Sequence, residues 1–269
     1  MDRRPLTVIV PTLNEEEMLP ACLESVRFAD EILVVDSFST DRTGAIARAA
    51  GARFLQNRFI DFSAQKNWAI ERAAHEWILQ VDADERVTPA LRAGIEAILV
   101  AGPDRAAYRM PRRNYFLGRP MRHTGWGRDA VVRLFRRTAR FEGEVHEELR
   151  VDGPIGELEG ALDHHSFRSF AQYWSKMLSY SALGAARLRR EGRRAGPAQV
   201  ALHPLAYFLK MYVLRLGFLD GMHGLVLSLL GATTVYFKYA RLWELQVAAA
   251  GGDGGPGSPA GAAGPEAPR

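Results

Sequence analysis

The sequence predicts an α/β protein built on a doubly wound, mostly parallel sheet. Three observations predict it: short apolar runs typical of buried strands, helical apolar spacing between those runs, and strict alternation of the two. The runs lie at Thr7–Thr12, Glu31–Asp36, Ala52–Gln56 and Trp77–Asp82, and the helical segments at Glu15–Arg27, Asp41–Ala50 and Ser63–Ala74. Such a fold has its ligand crevice at the carboxyl ends of the strands.

Later elements extend the sheet and add helices. A helix is predicted over Pro89–Val100, then strands over Ala107–Phe116 and Ala130–Arg136, then a helix from Ser169 to Arg190 and a second helical region after Pro197. The last 22 residues contain seven Gly, seven Ala and four Pro and cannot build a core. We therefore predict a sheet domain over residues 1–166, a helical region over 167–246 and a disordered tail over 247–269.

The charge distribution and the cysteine count limit the ligands and the cellular compartment that the sequence allows. Residues 1–104 carry 11 basic and 17 acidic side chains, whereas residues 105–150 carry 12 and 5. An acidic N-terminal segment followed by a basic segment is typical of a metal site next to a phosphate-bearing ligand. No zinc-finger, RRM or helix-turn-helix signature is present, so nucleic acid is not an expected partner. Cys22 is the only cysteine, which excludes an intramolecular disulfide and fits a reducing compartment.

The strongest motif is Asp82-Ala83-Asp84-Glu85, directly after an apolar strand. Two carboxylates at the mouth of a parallel sheet can hold a hard divalent cation, Mn²⁺ or Mg²⁺, that keeps open positions for a diphosphate. Asp82 and Asp84 are therefore candidate metal ligands. The alternative interpretation is a solvated turn that caps the next helix, and the position after a buried strand favours the functional one.

Polar side chains at the ends of the first two strands are candidate nucleotide contacts. In Val10-Pro11-Thr12-Leu13-Asn14-Glu15, Asn14 is placed to cap the following helix, and Thr12 and Glu15 are placed to face the crevice. Asp36 ends the second strand, where a carboxylate can bond a base or ribose, while Asp41 is interpreted as structural. The alternative for the first motif is an N-cap and nothing more.

A fourth motif, Gln65-Lys66-Asn67, lies within a predicted helix. Lys66 and Asn67 could face the nucleotide, and a solvated helix face is an equal alternative. Neither Gly-x-Gly-x-x-Gly after the first strand nor Gly-x-x-x-x-Gly-Lys-Ser/Thr occurs. The sequence therefore lacks the main motif evidence for a nicotinamide dehydrogenase or a P-loop ATPase.

The segments VPTLNEE, VVDSFSTDRT, QKNWA, DADE, RLFRR and VHE, in this order, resemble the family 2 glycosyltransferases of the GT-A fold. Bacterial lipopolysaccharide-core β-glucosyltransferases also resemble the chain in LGFLDGMHGL and FKYARLWE, so the likeness covers residues 5–246. It implies inverting transfer from a nucleotide diphosphate sugar, a UDP-sugar favoured, to a cell-envelope glycan or glycolipid acceptor such as lipopolysaccharide core. It also implies Asp84 as the metal ligand and a nucleotide site formed by Pro11, Thr12, Asn14, Glu15, Asp36, Lys66 and Asp82.

Inversion requires a general base that accepts the proton of the acceptor hydroxyl. In many members of this family the base is the Asp of a Glu-Asp pair, and His146-Glu147 occupies the matching place. We favour Glu147 as base with His146 orienting it or contacting the phosphates, and Asp129 as the second candidate. The pair His164-His165 is interpreted as structural.

Two other functions remain open from sequence. A sugar-1-phosphate nucleotidyltransferase would use a related sheet and a metal, but such enzymes open with a Gly-rich loop and Pro11-Thr12-Leu13-Asn14-Glu15 contains no glycine. A non-catalytic, membrane-bound nucleotide-sugar-binding protein could retain the fold.

The C-terminal third predicts contact with a membrane surface. Basic residues from Arg187 to Arg194 can meet anionic head groups, and Leu225–Leu230 can enter the acyl boundary. The uncharged stretch His223–Phe237 is shorter than the roughly 20 residues that span a bilayer. We therefore predict peripheral or monotopic attachment to the cytoplasmic face of the bacterial inner membrane. The alternative is a second packed core.

Overall fold

The computed structural model describes residues 3–143, 147–167 and 169–251. The chain divides into two compact units, one formed by Met1–Tyr115 with Arg128–Ser166 and the other by Phe116–Gly127 with Phe167–Arg269. The loop 116–127 thus belongs with the C-terminal helices, although the sequence placed it in the first domain.

The strands build one large mixed sheet. Its order is β3-β2-β1-β4-β8-β6-β12-β5, with β11 and β7 also paired to β6, and β9 and β10 form a separate antiparallel pair. Strands β1 to β4 run parallel, whereas β4-β8, β8-β6 and β12-β5 are antiparallel. The bounds are β1 Leu6–Thr12, β2 Glu31–Asp36, β3 Arg53–Gln56, β4 Trp77–Gln80, β5 Glu85–Val87, β6 Ala107–Phe116, β7 Arg119–Pro120, β8 Asp129–Arg136, β9 Arg140–Glu142, β10 Glu148–Arg150, β11 Ile155–Glu157 and β12 Leu162–Phe167. The predicted α/β class is confirmed.

Helices fill the connections and then form the second unit. They are α1 Leu19–Ser25, α2 Thr43–Ala49, α3 Phe62–Arg72, α4 Pro89–Ala101, α5 Phe170–Arg190, α6 Pro197–Leu209 and α7 Gly221–Gly251. Side chains of Asp61, Thr88 and Ser169 accept from backbone N–H groups in the first turns of α3, α4 and α5, as N-caps do. The predicted cap Asn14 is wrong, because α1 begins only at Leu19.

Successive residues of the central strands enter two separate cores. Val8 and Val10 of β1 belong to one cluster, whereas Ile9 belongs to the other. Side chains alternate along a strand, and a parallel sheet is covered on both faces, so the apolar runs are continuous. In β1, β2 and β4 the polar side chains therefore stand near the strand ends.

In the second unit, α7 packs against α5 and α6. A Cβ on Gly231 would lie 2.5 Å from the Tyr207 ring, so α6 and α7 approach closely there. Within the predicted inserting stretch Leu225–Leu230, Leu227 and Leu230 are buried against the unit's own helices, whereas Leu229 is 48% exposed. Helix α7 also continues to Gly251, past the predicted start of the tail at residue 247. The helical segment Gly217–Ala249 is long and apolar enough to cross a membrane by length and composition, in contrast to the sequence estimate.

Candidate active site

A buried arginine joins the two halves of the acidic motif. Arg133 lies on β8, which pairs antiparallel with β4, and its Nη2 donates to Asp82 Oδ2 at 2.7 Å and to Glu85 Oε1 at 3.0 Å. Glu85 is fully buried and also accepts from the Asp82 backbone N–H at 2.9 Å. Gln80 Nε2 donates to Asp82 Oδ1 at 2.7 Å. Both Asp82 oxygens are therefore engaged.

The charges around Asp82 hold it ionised. Burial by itself raises the pKa of Asp82, but the Arg133 guanidinium, followed by Lys66 and His164, lowers that pKa to well below its ordinary value. The reciprocal effect acts on Arg133, where burial lowers the pKa and the carboxylates of Asp82 and Glu85 raise it above its ordinary value. Asp82 and Arg133 therefore form an ion pair in which both groups stay charged at any physiological pH.

Asp84 faces a histidine rather than the arginine. Its Oδ2 lies 3.5 Å from Nε2 of His164, and the two side chains are 20% and 19% exposed. The opposite ring nitrogen, Nδ1, lies 2.7 Å from Oδ1 of Asn114. Since an amide oxygen only accepts, Nδ1 carries the proton and Nε2 faces Asp84. Within the described ranges, no group of three or more His, Cys, Asp or Glu side chains is arranged to hold a metal.

Asn114 links this histidine to the second base candidate. Its Nδ2 donates to Asp129 Oδ2 at 2.9 Å, and Arg112 donates to the same oxygen from Nε at 2.8 Å. Burial raises the pKa of Asp129, but the bonds from Asn114 and the charge of Arg112 together lower it below its ordinary value. Asp129, Asn114, His164 and Asp84 therefore form one chain of polar contacts.

The favoured base, Glu147, lies against a buried lysine. Lys66 of α3 donates to Glu147 Oε1 at 2.5 Å and lies 5.0 Å from the centroid of the Phe141 ring. Lys66 is buried, whereas Glu147 is only partly so. Two residues predicted for different roles are thus brought together, and the lysine charge also acts on Asp82. His146 lies outside the described residues.

The loops after β1 and β2 are tied together by the predicted nucleotide contacts. Asn14 has φ 54° and accepts from the Thr40 backbone N–H at 2.9 Å. Asp36 is fully buried and accepts from Thr12 at 3.2 Å, from the Ser39 N–H at 2.9 Å and from the Ser39 hydroxyl. These contacts shape the edge of the crevice and leave Asp36 no exposed surface for a base or ribose.

Other predicted contacts also serve the scaffold. Asn67 donates from Nδ2 to the Phe141 carbonyl and accepts from the Phe141 N–H on Oδ1, both at 2.9 Å, as a neighbouring strand would. Asp41 accepts from the Thr43 and Glu16 N–H groups, in keeping with its structural interpretation. Pro11 is partly buried, and the Glu15 N–H donates to the Thr43 hydroxyl at 2.8 Å.

Sequence reasoning missed four members of this site: Arg112, Asn114, Arg133 and His164. A signal existed for Arg133, because a charged residue stands inside an otherwise apolar strand pattern, and such a residue is buried only when paired. His164 was set aside because no carboxylates frame it in sequence. The antiparallel register of β12 on β5, which places His164 opposite Glu85, supplies them.

Comparison with known proteins decides the family. The model of glycosyl transferase family 2 matches residues 7–152. The chain belongs to this family. The lipopolysaccharide core biosynthesis glycosyltransferase LpsC of Rhizobium meliloti is 31% identical over 88% of the chain and 93% of its own length. An uncharacterized glycosyltransferase of Rickettsia typhi, RT0209, is 27% identical over 91% of the chain and 88% of its own length.

The protein is therefore a glycosyltransferase, as the sequence predicted. This favours the glycosyltransferase prediction over the nucleotidyltransferase and the non-catalytic binding protein. Among solved structures, glucosyl-3-phosphoglycerate synthase of Mycobacterium tuberculosis in complex with Mn²⁺ and UDP-glucose matches with a TM-score of 0.35 and 21% identity. That match covers 42% of this chain and 44% of the other.

Proposed function

We propose that this glycosyltransferase transfers a sugar, with inversion, from a UDP-sugar to a lipopolysaccharide-core or related cell-envelope glycolipid. The observation that carries the proposal is the set of polar contacts at the strand ends, where two base candidates and the Asp84–His164 pair converge in one unit. The acceptor is inferred from the likeness to LpsC over nearly the full length of both chains.

A divalent cation fits at Asp84 and His164. Neighbouring ligands of an octahedral ion with bonds of about 2.1 Å lie about 3 Å apart, close to the 3.5 Å between Asp84 Oδ2 and His164 Nε2. The imidazole would bind the cation through an unprotonated Nε2, with the proton on Nδ1 held by Asn114 Oδ1. A carboxylate and an imidazole together favour Mn²⁺ over Mg²⁺, and the remaining positions suit diphosphate oxygens. When bound, the ion would stabilise the negative charge of the departing nucleotide diphosphate.

Asp82 is a weaker ligand candidate than the sequence implied. Its two oxygens already accept from Arg133 and Gln80, and metal binding would require that ion pair to open. We assign Asp82 and Arg133 to the wall of the donor site, where they hold the acidic turn in place and position Asp84.

Glu147 remains the favoured base on physical grounds. Arg112 and Asn114 both donate hydrogen bonds to Oδ2 of Asp129 and lower the pKa of Asp129. The lowered pKa makes Asp129 a weaker proton acceptor. Glu147 has Lys66 as its ion partner. If the ammonium turns to the diphosphate when the donor binds, the Glu147 carboxylate is released to accept the acceptor proton.

Membrane attachment is supported by the distribution of exposed apolar side chains. Of 23 large hydrophobic residues exposed in the described chain, 18 lie in the second unit, and the other five are Phe38, Ile60, Phe62, Val100 and Ile155. A glycolipid acceptor is presented at a bilayer surface, so an enzyme held there meets it at high local concentration. We place the enzyme on the cytoplasmic face of the inner membrane.

The test is incubation with a panel of nucleotide sugars, Mn²⁺ or Mg²⁺ and a truncated core glycolipid. Release of UDP that depends on the acceptor, with the product anomeric configuration inverted by NMR, is the expected result. Retention of configuration would contradict the mechanism. Transfer from a GDP-sugar alone would contradict the donor, and transfer only to a soluble acceptor would contradict the acceptor class.

A further inference from the structure

The connection between α6 and α7 is a concentrated apolar surface. Within residues 213–222, here called the apolar turn, six large hydrophobic side chains are exposed, and Leu214 and Met222 are 77% and 69% exposed. The six are Val213, Leu214, Leu216, Phe218, Leu219 and Met222. Exposed apolar clusters of this kind mark interaction sites in soluble proteins.

The apolar turn is held in place from within its own unit. Asp220 is only 5% exposed, and its carboxylate accepts from the backbone N–H of Arg122 at 3.3 Å and of His123 at 2.9 Å. The Thr124 N–H donates to the Arg215 carbonyl at 3.0 Å. Because a buried carboxylate and backbone bonds fix the turn, its apolar side chains face outward as part of the fold.

The charges beside the turn are all of one sign. Asp220 is the only acidic residue between Glu191 and Glu244, and it is turned inward. Arg122 and Arg215 are exposed, as is Arg119, whose guanidinium lies 4.0 Å from the position of a Cβ on Gly221. Within the described part of the chain, none of these three arginines has an ion pair.

We propose that the apolar turn inserts into the acyl boundary of an anionic bilayer while Arg119, Arg122 and Arg215 bind the lipid phosphates. The apolar turn, with three arginines beside it that have no ion partner among the described residues, is complementary to such a surface in both hydrophobicity and charge. This specifies the element that attaches the enzyme under the proposed function. It also differs from the sequence expectation, which assigned the inserting residues to Leu225–Leu230.

The single cysteine makes a direct test possible. Cys22 is fully buried, and burial raises the pKa of its thiol far above the ordinary value, so a fluorophore placed on a new cysteine labels only that site. Full-length Leu214→Cys and Met222→Cys proteins, labelled with an environment-sensitive dye, are mixed with phosphatidylglycerol or phosphatidylcholine vesicles. Ile60→Cys, 78% exposed in the first unit, is the matched control.

Blue-shifted emission and quenching by brominated lipid at positions 214 and 222, with phosphatidylglycerol and not with Ile60→Cys, is the expected result. A shift at Leu229→Cys on α7 without one at 214 would overturn the proposal. A shift without vesicles, accompanied by a doubled mass, would assign the surface to a second copy of the chain and overturn it too.

Charge substitutions give an independent measurement. Leu214→Glu with Met222→Glu should lower vesicle partitioning at least about tenfold, whereas Ile60→Glu should not. Each Arg→Gln change at positions 119, 122 and 215 should lower it about fivefold at low salt. UDP release in detergent is followed for the same proteins. In the unsubstituted protein, insertion without UDP release would refute the proposed function alone, and UDP release without insertion would refute only this inference.

Discussion

Replacing Arg133 by Met is expected to destabilise the first unit by about 3–5 kcal/mol at neutral pH, the usual cost of leaving a buried carboxylate without its cation. Arg133 contacts Asp82 at 2.7 Å and the fully buried Glu85 at 3.0 Å. Glu85 would keep Arg112 at 3.4 Å and the Asp82 N–H. Those remaining partners put the expected loss near the lower end of the range.

The loss should depend on pH in a defined direction. In the native protein the pKa of Asp82 is depressed, so its stabilising contribution is present above the unfolded pKa of about 4 and is lost as pH falls toward the folded value. Without Arg133, Lys66 and His164 alone oppose the effect of burial, so the pKa of Asp82 is higher than in the native protein. The difference in unfolding free energy between the two proteins should therefore be largest near pH 7 and shrink below about pH 4.

The assay is guanidinium unfolding in mild detergent, followed by circular dichroism and by tryptophan fluorescence, at pH 7 and at pH 3. Arg109→Met is the control, because Arg109 forms an exposed pair with Glu157 at 3.4 Å and should cost at most about 1 kcal/mol. Adding Glu85→Gln to Arg133→Met should restore part of the stability. A loss below 1 kcal/mol, or one that is equal at both pH values, would refute the reasoning.

Three further predictions concern the chemistry. Asp84→Asn and His164→Gln should each lower metal affinity by at least about 10–100-fold, the cost of losing even an outer-shell partner, measured by Mn²⁺ titration of UDP release and by direct Mn²⁺ binding; native affinity in either protein would remove that residue from the proposed site. Glu147→Gln should lower kcat by about 10²–10⁴ with little change in UDP affinity, and if Asp129→Asn does this instead, the base assignment is wrong. Asn67→Ala should cost about 1–3 kcal/mol of stability by leaving the Phe141 backbone unpaired, while UDP affinity in the folded protein stays native; weaker UDP binding without destabilisation would restore its predicted nucleotide role.

The sequence predicted the first strands closely. Glu31–Asp36 has the predicted bounds, and β1 and β3 differ by one residue at one end. Strands β1 and β2 are covered on both faces, so each appears in the sequence as an apolar run, whereas the edge strand β3 is only partly buried. Helix α1 is shorter than predicted: it begins at Leu19, and Asn14 is engaged by Thr40 rather than by the helix N-terminus. That partner lies in another loop, and local patterns do not report it.

In the candidate site, too, some features follow from the sequence and others only from the fold. Asp82, Asp84 and Glu147 were proposed from the sequence because each stands at a strand end or inside a motif, and their roles stay predictions. Asp36 and Asn67 were also proposed, but their partners in the folded chain are scaffold groups, so the residue types alone did not separate binding from support. Which carboxylate is neutralised and which stays available depends on where Arg133 reaches.

By itself, the sequence determined the fold class, the family and the position of the acidic turn at the mouth of the sheet, because these follow from periodicity and from motifs of neighbouring residues. Only the tertiary structure decided that His164 faces Asp84 and that Lys66 meets Glu147. It also decided that the apolar turn at residues 213–222 is exposed, whereas Leu227 and Leu230 of α7 are buried. The physical reason is that strand register and helix packing bring together groups about 80 residues apart in the chain. Charge and burial, which set their chemistry, exist only after that assembly.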